Sequence, residues 1–133
     1  MSTNTTYDKR HCKIQHIPEI NAVQIEWTGF SIAKDFQEAC NFALDLLIQN
    51  KSSKLLVDNR NSKVVSQENQ EWLANEWYEK AYKNGYRATA VIVSDNILNK
   101  MSIKNIEEKK NELGLQSKHF SDIDEAKNWL KTV

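Results

Sequence analysis

The chain has 133 residues, 40% of them apolar and 27% charged, which is enough for one globular domain that buries most of its apolar surface. Eighteen Lys and Arg balance eighteen Asp and Glu, so net charge provides no general attraction to nucleic acid or to an anionic membrane. No apolar run has the length of a membrane span, the start MSTNTTYDKR lacks the apolar stretch of a signal peptide, and two cysteines are too few for a disulfide framework.

Residues 1–10 are polar and read as a frayed terminus, with a single domain over 11–133. Residues 11–16 and 22–28 then read as strands. In the second, Val23, Ile25 and Trp27 alternate with Gln24, Glu26 and Thr28, the period of a half-buried strand. The link IPEIN holds the one proline, Pro18, and predicts a turn between antiparallel partners. After Gly29, Ser31 is a candidate N-cap. Ile32, Phe36, Ala39, Cys40, Ala43, Leu44 and Leu47 follow at helical spacing and predict a helix with Cys40 on its buried face.

KLLVD, 54–58, is a short apolar run that fits a strand covered on both faces. The polar stretch after it carries Asp58, Arg60, Ser62 and Ser66 and reads as a strand-to-helix loop, the usual place for a site in an α/β protein. Ser66 is the expected cap of the next helix, with Glu68 in its first turn where the helix dipole favours an acid. That helix runs to Asn84 with Leu73, Ala74, Trp77, Tyr78 and Ala81 on one face, and Gly85 ends it. ATAVIVSD, 88–95, predicts a buried strand. A helical region with Ile103, Ile106 and Leu113 follows, then an edge strand at 115–120. The closing SDIDEAKNWL predicts a helix capped by Ser121 or Asp122 that buries Ile123, Ala126, Trp129 and Leu130. The order ββαβαβαβα implies an α/β fold with a mixed, mostly parallel five-stranded sheet flanked by helices.

Chemistry is sparse in this pattern. The three glycines, Gly29, Gly85 and Gly114, sit at element ends, and no glycine-rich loop exists to cradle a phosphate. Cys12 and His16 lie roughly 13 Å apart on a strand, too far to share a metal. His119 reads as a surface residue near Asp122, with no nucleophile paired to it. Asp58 and Asp95 both end predicted strands. On neighbouring strands they would share a rim and could serve acid–base work, although Asp at such positions commonly binds loop amides. Trp72 falls nearly opposite the Leu73–Trp77–Ala81 stripe, so it is either an anchor for a partner or a ring covered by a neighbouring loop. The charged run 103–112 reads as a solvated helix face.

Four segments carry a likeness to a known family: W-T-G at 27–29, KLLVDNRN, RATAVIVSD and FSDIDEAKNWL. In order and spacing they resemble the SpoIIAA-like (STAS-like) domains of bacteria, the last segment resembling that family's F-x-D-x-x-E-A-x-x-W-L tail. A bacterial source also agrees with fourteen Asn and fifteen Lys against three Arg, as in an AT-rich genome. The resemblance covers about residues 11–132. It implies a βα superhelix of the SpoIIAA-like type. Relatives of this kind include anti-anti-sigma factors, which bind a kinase partner and are switched by phosphorylation of a serine in an Asp-Ser-Ser-Gly-type motif. The corresponding place here reads Ser66-Gln67-Glu68-Asn69, with Glu68 where that serine would stand and Ser66 where the Asp would stand. The motif is absent, so a serine phospho-switch is not expected.

The expected function is therefore a non-enzymatic regulatory or protein-interaction module in the cytoplasm, without cofactor or metal, with Asp58, Arg60, Ser66, Glu68 and Trp72 as its candidate contact residues. Its partner is an unknown protein, and a homodimer is open to it. The alternative is a carrier or sensor for a small apolar ligand of the Sec14-like kind, which the surplus of aromatic residues motivates. A small hydrolase or isomerase using Asp58 and Asp95 is the third reading.

Overall fold

The computed structural model describes residues 6–29, 31–62, 66–93 and 115–133. The elements are β1 (Thr6–Lys9), β2 (Cys12–Ile17), β3 (Ala22–Gly29), α1 (Ala33–Gln49), β4 (Lys54–Ser62), α2 (Gln67–Trp72), a π-helical turn (Leu73–Trp77), α3 (Tyr78–Lys83), β5 (Ala88–Ile92), β6 (Gln116–Phe120) and α4 (Ile123–Leu130). The helix expected around 103–113, the charged run 103–112 and Asp95 all lie outside the described residues.

One mixed sheet takes the strands in chain order, β1-β2-β3-β4-β5-β6. The pairs β1–β2 and β2–β3 are antiparallel, and β3–β4, β4–β5 and β5–β6 are parallel. The sheet thus has six strands where the sequence predicts five. The addition is β1, in the stretch read as frayed, and one aromatic residue explains it. Tyr7 is buried between exposed neighbours. Its ring meets Phe42 of α1 at 5.4 Å, and its hydroxyl donates to the Glu38 carboxylate at 3.0 Å. The polar residues on either side hide this anchor from a composition reading.

The sheet separates two cores. Val23, Ile25, Trp27 and Leu55 face α1 and the α2–α3 segment, packing on Phe36, Cys40, Leu47, Leu73 and Trp77. Leu56, Ala90 and Ile92 face Ala126 and Leu130 of α4. Helices on both faces make β4 and β5 largely apolar runs, whereas β2 and β3 alternate, with Lys13 and Gln15 exposed and Gln24 and Glu26 half-buried on the face opposite Ile14, Val23 and Ile25.

Turns and caps follow local chemistry. Asn21 takes a positive φ of 45° and donates to Pro18 O at 3.2 Å, closing the predicted β2–β3 turn. Helix α3 ends in a Schellman motif, with Tyr86 N on Ala81 O and Gly85 N on Tyr82 O, and Gly85 supplies its φ of 107°. Helix α1 ends the same way through Lys51 at φ 51°. Its start departs from expectation. Ile32, not Ser31, holds the N-cap position, without a side-chain cap bond, and its side chain is 57% exposed where the stripe placed it in the core. The rest of that stripe is buried. Among the described residues no helix is long and apolar enough to cross a membrane.

Candidate functional site

Strand β4 runs four residues beyond the predicted end, through Ser62, so Asp58 and Arg60 stand on a strand and not in a loop. A register shift relative to β3 makes this extension. Glu26 pairs with Asp58, Thr28 pairs with Asn61, and Asn59 and Arg60 together oppose Trp27. Such a bulge keeps pairing alive past the polar residues while it twists the strand end.

Asp58 is buried and accepts from Arg60 three times: from the backbone N at 3.0 Å, from Nε at 3.0 Å and from Nη2 at 2.8 Å. Burial pushes the carboxyl up, but the hydrogen bonds from the Arg60 side chain and backbone, together with its charge, outweigh that and hold Asp58 below the ordinary carboxylate value. A general base at neutral pH needs the opposite shift. Arg60 also feels the charges of Glu26 and Asp122, which places the pair on the α4 side of the sheet, near that helix's cap.

Ser66, Glu68 and Trp72 lie on the other side. The Ser66 hydroxyl accepts from Asn69 N at 3.1 Å as the N-cap of α2, and Glu68 is exposed in the first turn. Asn69 is buried, and its Nδ2 donates to Ser31 O at 3.3 Å, tying the α2 start to the loop before α1. Among the described residues its Oδ1 has no hydrogen-bond partner. Trp72 is half-buried, edge-on to Phe36 of α1 at 6.3 Å. Phe36 of α1 thus covers part of the ring. The five candidate residues thus form two groups on opposite faces of β4.

Beneath Trp72 the helix widens into the π turn. Trp77, at its end, donates from Nε1 to the backbone O of Cys40 at 2.9 Å. Leu73 and Trp77, with Trp27, Phe36, Cys40, Asn59, Tyr86 and Thr89, line a mostly apolar cavity of about 70 Å³ against β3, β4 and β5. The sequence reading did not locate this cavity. Its aromatic walls come from β3, α1, the π turn and the stretch before β5, and only the surplus of Trp and Tyr hinted at them. Both cysteines are free and buried, and burial pushes both thiols well up. Among the described residues no group of three His, Cys, Asp or Glu could hold a metal.

The α/β order, the mixed sheet and the closing β6–α4 unit agree with one known domain type, and the SpoIIAA-like family model matches residues 22–131. The chain belongs to the SpoIIAA-like family. No curated protein and no solved structure matches it. The SpoIIAA-like match begins at β3, so β1 and β2 lie ahead of it. It takes in both candidate groups and every residue of the cavity. Within this SpoIIAA-like domain, the place of the switch serine in the resemblance is the α2 start, where Ser66 caps the helix and Glu68 faces solvent.

Proposed function

We propose that the chain is a regulatory protein-interaction module of the SpoIIAA-like type that works without a serine phospho-switch, and that its contact surface is the rim formed by Ile32, Ser66, Glu68 and Trp72. The observation that carries this reading is the α2 start. Its serine serves as a helix cap, and the neighbouring exposed position holds Glu68, a fixed negative charge where the resemblance places a reversible one. The exposed Ile32 side chain, one turn before the Phe36 on which Trp72 rests, adds an apolar contact beside that charge. An apolar anchor beside a charge is a common composition for a recognition patch. Two buried free thiols fit a reducing cytoplasm.

The test is capture from a lysate of the source organism on immobilised protein, compared among wild type, Ile32→Asp and Glu68→Lys. All three are first checked for native circular dichroism. A protein retained by wild type and lost from both variants supports the rim. Retention unchanged in both variants refutes it.

A further inference from the structure

The chain as a whole is neutral, with eighteen cations against eighteen anions, yet the helical segment that bears the rim is not. Between Ser66 and Glu79 stand four Glu, at 68, 71, 76 and 79, and no Lys or Arg. All four are exposed. Glu71 accepts from Gln67 Nε2 at 3.2 Å, and among the described residues none of the four makes an ion pair. Lys80 and Lys83 follow only in the last turn, and in the first turn of α1 the charges of Lys34 and Asp35 cancel.

Two of these carboxylates bracket an aromatic ring. Glu68, Trp72 and Glu76 are spaced by four along one continuous helical segment, and residues four apart are neighbours on a helix surface. The π turn keeps Glu76 on that face, because Leu73 and Trp77 are buried and Glu76 is exposed. Trp72 is half-buried against Phe36, so part of its indole is open to solvent between two anions. Indole is the best aromatic partner for a guanidinium or ammonium group, and carboxylates beside it add charge-assisted acceptors. A second feature asks for a donor. Asn69, next to Glu68, is 1% exposed. Its Nδ2 donates to Ser31 O at 3.3 Å, which brings the carboxamide to the junction where Ile32 emerges, and its Oδ1 lacks a donor among the described residues. Arg and Lys side chains carry donors only. The positive end of the α2 dipole would oppose a cation, but Glu68 in the first turn offsets it.

We propose that the rim's partner is a basic segment of another protein, which lays an Arg or Lys over Trp72 between Glu68 and Glu76 and an apolar residue on Ile32. This inference rests on the rim reading and names the chemistry of its partner. Opposed charges speed the encounter and make it sensitive to salt. An acidic partner would meet four carboxylates of its own sign, which excludes it.

The probes are acetylated hexa-arginine amide, its uncharged analogue hexa-citrulline, hexaglutamate and spermine, read by indole and amide chemical shifts of the folded chain. Hexa-arginine shifts the Trp72 indole and the amides of Glu68 and Glu76, and its affinity falls about tenfold from low salt to about 0.2 M. Hexa-citrulline and hexaglutamate leave these signals unmoved, and spermine binds roughly tenfold more weakly than hexa-arginine. Glu68→Gln/Glu76→Gln weakens hexa-arginine about tenfold, and Trp72→Leu about threefold. Glu125→Gln, at an exposed acid on α4, leaves it unchanged. If Trp72→Leu does not fold, the double glutamine variant decides. No shift at Trp72 with hexa-arginine, equal shifts at acids remote from the rim, equal binding of hexa-citrulline or spermine, or undiminished binding in the double variant would overturn the proposal. The rim reading fails separately. It falls if the captured protein is retained by Ile32→Asp and Glu68→Lys, whereas a protein lost from both but indifferent to Glu68→Gln/Glu76→Gln leaves the rim standing and overturns only the basic partner.

Discussion

Arg60→Ala should destabilise the protein through Asp58. The carboxylate side chain is 5% exposed, and among the described residues every hydrogen bond given to it comes from Arg60. Truncation removes the Nε and Nη2 bonds and leaves one backbone N–H. Two charge-assisted bonds at roughly 1.5–3 kcal/mol each set an upper bound. The guanidinium is 44% exposed, so screening by water brings the expected loss to about 2 kcal/mol. Urea denaturation followed by circular dichroism should show a midpoint lower by about 1 M. The double variant Asp58→Asn/Arg60→Ala should cost little more than Asp58→Asn alone, because a neutral amide at position 58 needs no cation. The pH dependence has a definite sign. The folded carboxyl titrates below its unfolded value, near about 4, so its stabilisation is complete above that value and is lost as pH falls through the folded pKa. The gap between wild type and Arg60→Ala should therefore narrow in acid. A gap under about 0.5 kcal/mol at neutral pH, or one that stays constant through acid, would refute this account.

Ser66→Ala should cost about 1 kcal/mol, and Ser66→Asp almost nothing, because Asp caps equally well; equal losses in urea melts would show that Ser66 does more than cap α2. Cys12 and Cys40 should be silent to a thiol reagent in the native protein and both react on denaturation, since burial keeps them protonated and covered. Leu56→Ala should cost about 3 kcal/mol, because Leu56 is fully enclosed between the sheet and α4. A loss under about 1 kcal/mol would mean that α4 is loosely docked.

The fold was legible wherever burial imposed a period. The alternation in β3, the stripe of α1 from Phe36 onward and the apolar runs of β4 and β5 were all readable, since sheet and helix geometry decide which residues can be covered. Three features were not legible, each for a physical reason. Strand β1 depends on Tyr7 finding Phe42 and Glu38, contacts made more than thirty residues away. The extension of β4 depends on a bulge against β3, which follows from pairing and not from composition. The π turn leaves its side chains in the same apolar pattern as an α-helix, so Leu73 and Trp77 were assigned to the core without any sign of the space between them. The candidate residues were found as individuals. Their separation by the sheet could not be read, because the strand was taken to end at Asp58.

That separation decides what the 54–69 segment can do. A single contact surface would need Asp58 and Arg60 to present themselves beside Ser66, Glu68 and Trp72. Instead, strand alternation turns Asp58 and Arg60 toward Glu26 and the α4 cap and turns Asn59 toward the cavity. Arg60 satisfies Asp58 so fully that the pair is occupied within the fold, as expected for a polar strand end held against a neighbour. The groups left with capacity for an outside molecule are on the α1–α2 side, exposed Ile32 and exposed Glu68. The π turn continues the helix from Trp72 of the rim to Leu73 and Trp77 in the cavity wall.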